Sequence, residues 1–72
     1  MTAEEMTVEQ NPALMTRITN IQMMREEIQS QYNPMMDFER IRKMTAEQLE
    51  KEQEDLIPDY NKEMRRREDF RS

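Results

Sequence analysis

Apolar side chains recur along this chain at helical spacing. Leu14, Ile18, Ile21, Ile28 and Tyr32 follow one another at steps of 4, 3, 7 and 4, and on a helical wheel they form one narrow stripe. Asn11 can cap this element, and Pro12 suits its first turn, where the missing N–H has no helical partner. Asn33-Pro34 stops it, because a residue before proline is pushed out of the helical region. The pattern therefore predicts a helix over 12–32. Its seam is interrupted at the centre by Arg25, which must snorkel, pair with a carboxylate or face a partner. Met15 and Met24 flank the stripe, while Met23 projects from the far side.

A second, looser stripe follows. Phe38, Ile41, Thr45, Leu49 and Leu56 predict a helix over 35–57, diluted by Thr45 and Glu52. Glu39 with Lys43 and Glu47 with Lys51 are acid-before-base pairs one turn apart, which support an exposed helix. Thr45-Ala46-Glu47-Gln48 has the spacing of a capping box and leaves a break at Thr45 open. Pro58 is expected to end or kink the helix. A last helix over 59–70 carries Tyr60 and Met64 one turn apart. Residues 1–11 hold two further capping-box spacings, Thr2 to Glu5 and Thr7 to Gln10, and read as an acidic arm, mobile or ordered by a partner.

Composition sharpens this to an all-α chain without β-sheet, extended or hairpin-like, as a single helical set with breaks at Asn33-Pro34 and near Pro58. The 72 residues contain no Gly, so primed hairpin turns have no good sequence, and Val occurs once. Leu, Ile, Val and Phe together number eleven, a small apolar inventory beside a net charge of −5. Nine methionines add flexible apolar volume. Neither disulfide nor metal staple is on offer, so partner-dependent folding is the expectation.

The same composition argues against chemistry. Without His there is no ordinary general base near neutral pH, and without Cys no thiolate or zinc ribbon. Without Gly there is no phosphate-cradling loop. No enzyme activity, cofactor or metal is expected. Paired methionines, 23–24 and 35–36, diverge around a helix and cannot chelate, so they read as packing or an adaptable binding face. Glu47, Glu50, Glu54 and Asp55 could occupy a basic groove, although a solvated face is the simpler reading. Lys62, Arg65, Arg66, Arg67 and Arg71 could hold phosphates, with Tyr60 and Phe70 near enough to stack on bases. Interspersed acids favour a solvated or protein-facing patch over nucleic acid.

The longest apolar run, Ala13 to Met15, is far too short to span a membrane. The acidic start lacks the charge of a signal or transit peptide, which suggests a soluble, intracellular or particle-enclosed chain. The functional expectation is a non-catalytic accessory or structural subunit of a larger assembly, such as a viral particle, an organelle complex or a multisubunit enzyme. Leu14, Ile18, Ile21, Arg25, Ile28, Tyr32, Phe38, Ile41, Leu49 and Leu56 are the expected partner-binding residues, the partner being another protein or a homo-oligomeric copy. The alternative is a small acidic inhibitor of a basic groove.

Overall fold

A computed structural model describes residues 1–71, with side chains described for residues 1–69. The chain is all-α. A 3-10 turn, Ala3–Glu5, precedes three helices: α1 (Leu14–Ile28), α2 (Pro34–Ile41) and α3 (Ala46–Arg71), with no strand among the described residues.

Short polar residues set the helix starts. Asn11 Oδ1 accepts the Ala13 N–H at 3.2 Å, and its carbonyl accepts the Leu14 N–H at 3.0 Å, so α1 opens just after Pro12. Asn33 Oδ1 accepts from the N–H groups of Met35 and Met36, with Pro34 in the first turn of α2. At α3 the capping box is reciprocal: Gln48 N–H donates to Thr45 Oγ1 at 3.3 Å, and Thr45 N–H donates to Gln48 Oε1 at 3.0 Å.

Three boundaries differ from the sequence expectation. α1 stops at Ile28 rather than at residue 32; Gln29 turns extended, and the Tyr32 hydroxyl hydrogen-bonds Asp37 in α2. The helix expected over 35–57 is divided at residues 42–45. A straight helix of that length would be about 35 Å long and would carry Ile41 and Leu56 to separate places. The break brings Ile41, Leu49 and Leu56 onto one side of α1.

Pro58 neither ends the chain's last helix nor separates two; it lies inside α3. It is exposed; Leu56 is buried before it, Tyr60 and Met64 are half-buried after it, and Arg67 ties the later part of the helix to Glu27. The hydrogen bond it removes would have ended on the carbonyl of exposed Glu54, on the outer side of the helix, where water is available.

The core is Leu14, Ile18, Ile21, Ile41, Leu49 and Leu56, with Val8, Met24, Ile28, Phe38, Met44 and Ala46 packed against it. Ile18, Ile21, Ile41 and Leu49 have no exposed surface. Arg17 Nη1 donates to Gln53 Oε1 at 2.8 Å, and Glu27 pairs with Arg67 further along both helices. These contacts join α1 directly to α3, with α2 between them in the chain. The N-terminal arm is not free of the body: Met6 carbonyl accepts the Ala46 N–H at 2.8 Å, Val8 packs on the core, and Glu9 meets Arg42 at 3.4 Å.

Candidate interaction surfaces

The seam expected to meet a partner is closed by the chain itself. Of the residues assigned to partner binding, Leu14, Ile18, Ile21, Ile41, Leu49 and Leu56 are the core, and Ile28 and Phe38 pack at its edge. The physical reason is the turn at residues 42–45, which lets the second stripe cover the first. In this fold the buried members of that seam offer a partner little apolar surface, and Ile28 and Phe38 remain only partly buried.

Arg25 and Tyr32 belong instead to a polar cluster that joins all three helices. Arg25 Nη2 pairs with Glu52 Oε1. Glu52 also receives Arg40 Nη2 at 3.0 Å, and Arg40 Nε donates to Asp37 Oδ1 at 2.9 Å. Asp37 Oδ2 accepts the Tyr32 hydroxyl. Two arginines face two carboxylates, so the cluster carries no net formal charge. The Arg25 and Glu52 side chains keep only 21% and 12% of their exposure, and at such depth a charge without a partner is strongly unfavourable. Arg25 Nε is buried without a hydrogen-bond partner, so the guanidinium is held by one end only.

Burial, more than its bond to Asp37, pushes the Tyr32 phenol above its ordinary range, and the Asp37 charge acts in the same direction. The hydrogen bond to Glu52 raises the Arg40 guanidinium, against the opposing effect of burial. The protons of the Tyr32 phenol and the Arg40 guanidinium are thereby held where they already sit at neutral pH. An open groove lined by Arg25, Arg40, Met44, Gln48, Lys51, Glu52, Asp55 and Leu56 runs along the cluster. Among the described residues, no group of three or more His, Cys, Asp or Glu side chains is arranged to hold a metal ion. No helix of the described residues is long and apolar enough to cross a membrane.

Asp37, Arg40 and Glu52 escaped the sequence reading, yet a signal was present. Arg25 breaks the first seam and Glu52 dilutes the second. Two opposite charges, each interrupting an apolar stripe, are natural partners once the stripes close on each other.

Away from the core, apolar surface is exposed. Met35 and Met36, in the first turn of α2, are 83% and 75% exposed, and Met23 on α1 is 59% exposed. Gln22 Nε2 donates to the Pro34 carbonyl at 3.0 Å, which sets this turn beside α1. Met15 and Ile57 are exposed to a lesser degree.

Two members of the basic cluster, Arg66 and Arg67, are paired. Arg66 binds Glu63 at 2.6 Å, and Arg67 reaches both the carboxylate and, at 2.9 Å, the backbone carbonyl of Glu27 near the end of α1. That carbonyl is one of those a helix leaves unsatisfied, and a cation there complements the helix dipole. The hydrogen bond from Arg66 holds the Glu63 carboxyl below the ordinary carboxylate range. The Phe70 and Arg71 side chains, named with this cluster in the sequence, lie outside the described side chains. Comparison with protein-family models, characterised proteins and solved structures finds no match to this chain.

Proposed function

We propose that this protein is a non-catalytic accessory subunit that docks as a small helical body on a larger protein assembly, of the kind that builds viral particles, organelle complexes or multisubunit enzymes. The contact surface in this reading is made by Met23, Met35 and Met36 rather than by the isoleucine seam. The carrying observation is the exposure of Met35 and Met36, two large apolar side chains raised on the first turn of a capped helix. Methionine suits such a role because its flexible thioether adapts to irregular partner surfaces. Burying each against a partner would contribute roughly 1.5–3 kcal/mol. It would also add apolar contact to a fold whose own core is small.

The test is affinity capture from the native source with the wild-type chain beside a Met35→Glu/Met36→Glu variant of equal helicity. A stoichiometric companion should be retained by the first and lost by the second. Equal retention by both would refute the methionine surface.

A second reading is favoured by one observation. Glu47, Glu50, Glu54 and Asp55 are all exposed, and none takes part in the ion pairs of the fold. An acidic inhibitor of a basic groove would use them, and its binding would weaken steeply with salt.

A further inference from the structure

The nine methionines of this chain stand in different environments, and they carry all its sulfur, since there is no Cys. Met24 and Met44 pack against the core, and Met44 Sδ accepts a hydrogen bond from Arg40 Nη1 at 3.7 Å. Met6 and Met64 are half-buried. Met1, Met15, Met23, Met35 and Met36 are exposed, and of these only Met35 and Met36 are neighbours in the chain. The turn that carries this pair is held through its backbone: Asn33 Oδ1 accepts the N–H groups of both residues, with Pro34 in the same turn. Neither thioether belongs to the core.

Such a pair can be oxidised without unfolding the chain. A methionine sulfur attacks one oxygen of hydrogen peroxide; the S–O bond forms and the O–O bond breaks. The departing hydroxide takes the proton of the transferred oxygen and leaves as water, so the sulfur is oxidised and the peroxide reduced by the same two electrons. The product sulfoxide is polar and accepts hydrogen bonds. On Met35 and Met36 its oxygen stands in water, and Met36 lines an open groove with Gln29, Gln31 and Arg40, whose amides and guanidinium are donors suited to it. On Met24 or Met44 the same oxygen would be set against the apolar core, which is unfavourable.

We propose that Met35 and Met36 are a reversible oxidation site that switches docking: peroxide converts them to sulfoxides while the helices stay folded, and the surface made polar releases the partner. The release rests on the reading of these methionines as the contact surface; the site of oxidation does not. A thioether buried against a partner contributes as an apolar group, whereas a sulfoxide there must be desolvated. Reversal takes a methionine sulfoxide reductase and two thiols, the oxygen leaving as water and the thiols as a disulfide.

Titration of the full chain with hydrogen peroxide tests this, with added oxygen located by peptide mass spectrometry and helicity followed by circular dichroism. Met35 and Met36 should oxidise on the order of tenfold faster than Met24 and Met44 with helicity unchanged, and in urea the rates should converge. Equal rates in the folded chain, or helicity lost in step with Met35 and Met36, would overturn the site. In affinity capture from the native source, a chain oxidised beforehand should hold its companion on the order of tenfold less, and reductase with a thiol should restore it. Met35→Leu/Met36→Leu, which cannot take the oxygen, should keep the companion through the same treatment; its loss would overturn the switch, as would full retention by the oxidised wild type. A companion kept by Met35→Glu/Met36→Glu, or none for the untreated chain, would refute the docking surface and the switch with it, while the oxidation rates still decide the site.

Discussion

Two sets of arginine–carboxylate pairs hold this molecule together, and they differ in almost everything but residue type. Arg25, Arg40, Asp37 and Glu52 tie α1, α2 and α3 beside the core, with Glu52 nearly enclosed. Arg66, Arg67 and Glu63 sit on the outlying part of α3, the arginines well exposed and Glu63 half-buried, with Arg67 reaching across to Glu27. An exposed pair gains little, because water screens the attraction and two long side chains must be held still. A part-buried pair is different: removing one partner leaves the other desolvated and unmatched. The inner set makes the helix arrangement specific, whereas the outer set orients a helix end already formed.

The sharpest way to break this comparison is to remove what both sets depend on. Ile18→Ala should destabilise the fold by about 2–4 kcal/mol in urea unfolding, because it opens a cavity at a site with no exposed surface. Met23→Ala on the opposite side of α1 should stay within about 0.5 kcal/mol. Equal effects from the two would mean that the helices do not pack through the isoleucine seam.

Next in size is the inner ion cluster. Glu52→Gln leaves Arg25 without its carboxylate and should cost about 1–3 kcal/mol in the same measurement. Arg25→Met/Glu52→Leu should recover most of that loss, since an apolar pair of similar bulk needs no charge partner. Glu63→Gln, in the outer set, should leave the denaturation midpoint unmoved. A larger effect at Glu63 than at Glu52 would invert the comparison.

The break before α3 gives a smaller effect. Thr45→Ala removes a side-chain oxygen that accepts the Gln48 N–H and should cost about 1 kcal/mol. Smallest is a pH effect at Tyr32. Burial and Asp37 raise its phenol in the folded state, so its contribution is fully present below the ordinary phenol value of about 10. That contribution fades as pH rises from there toward the higher folded value, because the unfolded chain releases the proton first. Alkaline unfolding should be shallower in Tyr32→Phe, and identical profiles would mean that the Asp37 contact is absent in solution.

Much of the secondary structure was legible. Asn33-Pro34 and the Thr45–Gln48 box are local chemistry, readable as letters, and both cap helices as their spacing requires. The end of α1 was not, because Gln29 to Gln31 carry no stop signal and the turn there serves the contact of Tyr32 with Asp37. Pro58 misled for the converse reason: its local penalty is real, but α3 is anchored on both sides of it, by Leu56 in the core and by Arg67 on Glu27. Of the ten residues expected to meet a partner, eight lie in or against the core of the chain itself, and Arg25 and Tyr32 enter the polar cluster beside it.

Sequence alone determined that this chain is helical, where two of its helices begin and which residues are apolar enough to be hidden, because capping and periodicity act over one or two turns. Tertiary structure alone decided that the two stripes close on each other, that Arg25 finds Glu52, and that the methionines of α2 face outward. Those outcomes depend on contacts between residues far apart in the chain, which no short-range pattern encodes.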